Sequence, residues 1–158
     1  MARIKIYGFK KYEEQLENLS RSISEIEGKA IYEGAGLVAD AVREGIDSIK
    51  TDGNSSWEKK RREKQKQGLK DGFGIAPLQD DNEFLNVKLG FNGYNSSVET
   101  KKFPNGQPNA MVARVFNSGT SVVTKQPFFD EAVRKMRKPA QEKMKEVFEN
   151  EIDEIMKG

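Results

Sequence analysis

The side chains able to carry chemistry in this sequence are carboxylates, lysines, arginines and hydroxyls, because it contains neither histidine nor cysteine. Without imidazole or thiolate there is no Ser-His-Asp triad, no Cys-His pair, no disulfide frame and none of the N/S ligand sets that zinc or copper prefer. The sharpest local feature is basic: Lys59, Lys60, Arg61, Arg62, Lys64, Lys66 and Lys70 stand against only Glu58 and Glu63. Such a run can hold phosphates, each contact adding salt-dependent affinity through counterion release. Trp57 is the one aromatic beside it, however, and no nucleic-acid recognition motif accompanies it. The expected role is a solvated loop or one ordered against an acidic protein surface; a nucleic-acid-binding module using 59–70 is the alternative.

The acidic groups offer less. Asp80, Asp81 and Glu83 lack the spacing of a calcium loop and read as a turn. Glu142, Glu146, Glu149, Glu151, Asp153 and Glu154 share their segment with Lys143 and Lys145 and read as a solvated helix face. Gly119-Thr120-Ser121 is not a phosphate-binding P-loop, since the spaced glycines and the following lysine are missing. It reads as a turn leading from a strand toward a helix. The expectation is therefore a protein that is not an enzyme, with no catalytic residue, cofactor or metal.

The chain of 158 residues is long enough for one domain, 1–158. With 35% hydrophobic and 33% charged residues its core must be local. Its 27 basic and 25 acidic side chains leave a formal charge of +2, which gives no general pull toward nucleic acid or an anionic membrane. Met1-Ala2-Arg3-Ile4-Lys5-Ile6 lacks the apolar region of a signal peptide, and no stretch approaches the roughly 20 apolar residues of a membrane span. A soluble intracellular or virion-type protein without membrane contact is expected.

The elements that must position these groups follow from periodicity. Ile4 and Ile6 alternate with polar neighbours and predict a short strand closed by Gly8. Phe9, Tyr12, Leu16, Leu19, Ile23 and Ile26 step by three and four, and the seam continues through Leu37, Val38, Val42, Ile46 and Ile49. Residues 10–50 are thus one long helix or two, with Gly28 the natural break. Gly34, Ala35, Gly36, Ala39, Ala41 and Gly45 let another backbone approach closely, either the domain's own sheet or a neighbouring subunit. Residues 52–70 lack an apolar face and predict a flexible loop or a solvated helical turn, and 92–110 have loop composition. Phe73 and Ile75, the alternation Leu85, Val87, Leu89, Phe91, and a run around Met111, Ala113 and Val115 predict strands of a small antiparallel sheet. Gln126-Pro127-Phe128-Phe129-Asp130-Glu131 opens a helix, which Pro139 kinks or restarts, and 140–158 form a C-terminal amphipathic helix. The fold class is α+β: a small antiparallel sheet packed by a long N-terminal helix, or helix pair, and a C-terminal helix.

The order of these features carries a resemblance. Ile4-Lys5-Ile6-Tyr7-Gly8-Phe9, the seam helix, Gly34-Ala35-Gly36-Leu37-Val38-Ala39-Asp40, and Gly68-Leu69-Lys70-Asp71-Gly72-Phe73-Gly74-Ile75 come first. Val87 to Phe91, Val112 to Ser121 and Gln126 to Ala132 follow. Together they resemble the tail-completion or head-tail joining proteins of tailed phages, the lambdoid-type small tail components. The most specific part is a strand ending in Gly-Thr-Ser followed by Gln-Pro-Phe and an alanine-containing helix. The resemblance implies a structural virion protein of the neck or tail, present in the host cytoplasm during assembly. It implies a homo-oligomeric ring, hexameric, between the head connector or adaptor and the tail terminator or tail tube, with DNA only as passing genome. Candidate subunit or partner contacts are Gly34, Gly36, Gly45, Gly119, Thr120, Ser121, Phe128 and Phe129. Lys59, Lys60, Arg61, Arg62, Lys64 and Lys66 are the candidate contacts to phosphate or an acidic surface.

Overall fold

A computed structural model describes residues 8–82, 84–95, 99 and 101–158. The strand expected at Ile4–Ile6 lies outside these residues, as do Glu83 and part of the 92–110 segment. The fold is α+β. In chain order it comprises α1 (Phe9–Ser48), α2 (Ser56–Gly72), β1 (Phe73–Ile75), β2 (Gln79–Asp80) and β3 (Leu85–Asn86). Then come β4 (Leu89–Phe91), β5 (Tyr94–Asn95), β6 (Gln107–Pro108), α3 (Asn109–Ser118) and α4 (Phe128–Lys157).

The long seam makes α1 a continuous helix of 40 residues, about 60 Å of rise, antiparallel to α4. Gly28 does not break it. A Cβ at Gly28 would lie 2.9 Å from Leu78 Cδ2, so this glycine admits the chain that crosses the helix there. The same crossing is held by the Leu78 amide, which donates to the Tyr32 hydroxyl at 2.6 Å. Pro139 likewise interrupts nothing: α4 runs through it for 30 residues. Each local signal is outweighed by the apolar face the two helices share.

Among the described residues the antiparallel β structure is three separate two-stranded ribbons instead of one sheet: β1 with β4, β2 with β3, and β5 with β6. The expected Leu85–Phe91 strand is split at Val87 and Lys88 between two of them. In the first ribbon Phe73 faces Phe91 and Ile75 faces Leu89, with Gly74 and Gly90 between them. The Phe73 and Phe91 ring centroids are 5.2 Å apart, and Phe91 also meets Phe128 and Phe129 at 6.2 and 6.1 Å. The ribbon is thereby fastened to the start of α4.

Two predicted elements are corrected. The strand around Met111, Ala113 and Val115 is helix α3, burying Asn109, Val112, Ala113 and Phe116 at helical spacing. The loop predicted across 52–70 is for the most part helix α2. Ser55 caps it, its hydroxyl accepting from the Glu58 amide at 3.2 Å, while the Glu58 carboxylate reaches back to the Asn54 amide at 2.8 Å. Leu69 is the single fully covered apolar side chain of α2 and enters the core with Val42, Ile46, Val112, Phe116 and Phe128.

This core lies where the C-terminal half of α1, the start of α4, α3 and the β1–β4 ribbon meet. Burial falls away toward the other end of the helix pair. Before Ile26 no residue of α1 is buried, and after Ala140 none of α4 is. A two-helix hairpin thus projects from a compact base.

Candidate functional site

The basic run and the Gly-Thr-Ser turn, separated by some fifty residues in the chain, meet at the base of the molecule. Arg62 connects them: one guanidinium nitrogen donates to the Asp52 carbonyl and another to the Val122 carbonyl at 3.1 Å. The turn that receives it begins at Gly119, which ends α3 with a φ of 76°. Any Cβ there would stand 2.9 Å from the Lys125 amide nitrogen, so glycine is required by both conformation and space. Thr120 then folds the turn back on itself, its hydroxyl accepting from Val123 N at 3.0 Å while its own amide donates to the Val123 carbonyl at 2.8 Å. Val122 is left 78% exposed at the tip.

Between the turn, α2 and α3 lies a cavity of about 240 Å³. Glu58, Arg61, Arg62, Gln65 and Gln107 give it a polar side, and Val112, Val115, Val122 and Val123 an aliphatic one. The Arg61 guanidinium lies 5.5 Å from the centroid of the Trp57 ring. Its Nε is buried and has no hydrogen-bond partner among the described residues. A buried donor without an acceptor keeps its desolvation cost uncompensated, so the site favours an incoming anion or carbonyl.

The six basic candidates divide by what they touch. Arg62 and Lys66 serve the fold: the Lys66 ammonium donates to the carbonyls of Asp47 at 2.7 Å and Ile49 at 3.1 Å, closing the C-terminus of α1. Beside it Lys70 pairs with Asp47 and holds that carboxyl below its ordinary range. Arg61 lines the cavity, and Lys59, Lys60 and Lys64 are exposed along α2.

The other candidates are not one surface. Gly34 packs within the chain: a Cβ would fall on the Met144 side chain and 3.1 Å from the Ala140 carbonyl oxygen. At Gly45 it would sit 3.0 Å from the Phe128 carbonyl oxygen. The close approach that these small residues permit is thus made by α4 of the same chain. At Gly34 and Gly45 it is not made by the sheet, and Phe128 is itself core. Gly36, in contrast, has open space where its Cβ would be. Phe129 is half-buried at a separate shallow groove with Leu89, Phe91 and Arg114. Thr120 and Ser121 stay exposed at the turn.

Gln65, Gln107 and the four valines carried no signal of their own in the sequence, since they become neighbours only once α2, α3 and the turn are packed. The same holds for Asn117, whose side-chain oxygen accepts from the amides of Phe129 and Asp130 at 3.1 and 3.2 Å and so caps α4 from another element.

The opposite end of the molecule is acidic. Glu142, Glu146, Glu149 and Asp153 recur at three-four spacing on α4, and all are exposed. Among the described residues no group of three metal-ligating side chains is suited to holding a metal ion, and no helix is long and apolar enough to cross a membrane. No family model, curated protein or solved structure matches the chain.

Proposed function

We propose that this chain is a structural virion protein of a tailed phage or phage-like particle. It acts as a tail-completion or head-tail joining component that assembles as a ring between the head connector and the tail terminator or tube. The observation that carries the reading is the unlike character of the two ends of the molecule. A basic, cavity-bearing base and an acidic, half-covered helical hairpin lie at opposite ends of α1. A ring of identical subunits needs two unlike surfaces per copy, because each contact is head-to-tail and closes only through rotation. The order of sequence segments that resembles the tail-completion proteins supports the same reading. Its partners are further copies of itself, hexameric by that resemblance, with a connector on one side and a terminator or tube protein on the other.

Mixing the purified chain with connector and tail proteins and imaging by electron microscopy tests this. Rings seated between the two partners are expected; a chain that remains monomeric with both would refute the proposal. A second reading is favoured by exposed Trp57, Lys59, Lys60 and Lys64 on one helix, which could lie along a nucleic-acid backbone. Steeply salt-dependent DNA binding that is lost when Lys59, Lys60 and Lys64 are neutralised would favour it instead.

A further inference from the structure

We infer that the cavity between α2 and the 119–123 turn is a receptor for a carboxylate side chain, supplied by the acidic stripe of α4 in a second copy of this chain. The inference rests on the ring reading and names the contact that would hold the ring together.

The cavity specifies the class of occupant. Its volume of about 240 Å³ accommodates a side chain and not a duplex. Arg61 and Arg62 place two guanidinium groups on its wall beside Glu58, Gln65, Gln107 and Thr120, and four valines line the other side; the Glu58 carboxylate is engaged by the Asn54 amide at 2.8 Å. The buried Nε–H of Arg61 adds a donor that finds no acceptor among the described residues. A carboxylate on a short aliphatic stem matches all three, since guanidinium and carboxylate pair through charge-assisted hydrogen bonds that strengthen away from water. Lys60 and Lys64, exposed near Arg61 on α2, extend the positive surface beyond the cavity mouth.

The stripe specifies the source. Glu146, Glu149 and Asp153 have lysine partners within their own helix at only 3.4, 3.6 and 3.9 Å, all exposed, and such pairs hold their carboxylates weakly. They are therefore available to a better site. The same chain cannot present them to its own cavity. The Lys29–Glu151 pair sets this stripe beside Lys29, whereas α2 closes the end of α1 near Ile49, about 30 Å of helix away. Opposite charges at opposite ends make the contact between copies head-to-tail.

Charge exchange tests it. One variant carries Arg61→Glu with Lys64→Glu, and a second, which leaves the cavity intact, carries Glu149→Lys with Asp153→Lys. Sedimentation velocity should show each alone self-associating at least about tenfold more weakly than wild type, with the loss shrinking as salt screens the wild-type contact. An equimolar mixture should assemble again, because each altered surface then meets its complement on the other chain. Trp57, the sole tryptophan, stacks on Arg61 and should change its emission on assembly of wild type and of the mixture. Recovery in the mixture also shows that both variants fold. Association undiminished by either variant, or a mixture that stays dissociated, overturns the inference. So does a Trp57 response to duplex DNA or phosphate without one to a second copy. Rings with neck partners that tolerate both sets of reversals would sink this interface and leave the ring reading standing; no rings in any condition would sink both.

Discussion

Gly34 and Gly36 lie two positions apart on α1 and have opposite surroundings, which makes them a matched pair. A side chain at Gly34 must displace Met144 or move α4 off the Ala140 carbonyl, whereas one at Gly36 meets open space. Gly34→Val is expected to lower stability by about 1–3 kcal/mol, as overpacking does, while Gly36→Ala should raise it slightly by removing a helix-interior glycine. Urea unfolding of the two proteins checks both signs, and equal effects would contradict the packing described. That α1 needed small residues somewhere was legible in the sequence, because glycine and alanine at helical spacing have few other uses. What they face was not legible, since nothing local distinguishes a sheet, a subunit and a partner helix. Asn95 and Asn109 were opaque for a similar reason. They sit in segments of loop composition, yet both are buried, and Asn109 Nδ2 donates to the Asn92 carbonyl at 2.8 Å.

At the level of elements, periodicity succeeded where the apolar face is long and failed where it is short. Forty residues of seam mark helix along all of α1 and leave open only a break at Gly28, but ten residues of Met111, Ala113 and Val115 fit a period of two as readily as the helical pattern of α3. Helix α2 buries one residue, Leu69, so its pattern was nearly silent. Its start was nonetheless written in the sequence: Ser55 and Glu58 have the spacing of a capping box, which the absence of an apolar face had overshadowed. Pro139 is the converse, a strong stop signal overruled by its setting. It stands exposed inside α4, where its ring withholds a backbone donor. Pro139→Ala should therefore stabilise the protein by up to about 3 kcal/mol. Thermal denaturation monitored by helical circular dichroism measures this, and a fall in melting temperature would mean that the proline has a packing role.

Over the whole molecule, ion pairs at two stations tie long-range partners together on the surface. Asp47 with Lys70 joins α1 to α2, and Lys29 with Glu151 joins α1 to α4. Hydrogen bonding to Lys70 lowers the Asp47 pKa, so its contribution is present above the unfolded-state value and is lost as pH falls through the folded one. Hydrogen bonding to Glu151 raises the Lys29 pKa, so that contribution is present below the unfolded-state value and is lost as pH rises through the folded one. Stability from the two pairs is thus retained together between the carboxylate and lysine ranges. A carboxyl carbon NMR titration should find Asp47 below its ordinary midpoint, returning toward it in Lys70→Gln; an unchanged midpoint would show that the pair does not persist in solution. Both pairs are exposed and should weaken with added salt.

The antiparallel pairing of α1 with α4 also sets an order of events during synthesis. Gln15 donates to the carbonyl of Met156, 141 residues later. Until residues 128–157 leave the ribosome, the N-terminal part of the α1 seam has no helix to lie against, and the core lacks Phe128 and Ala132. Contacts of such long sequence separation form late and slowly. The N-terminal part of α1 therefore keeps an uncovered apolar stripe until α4 has been made.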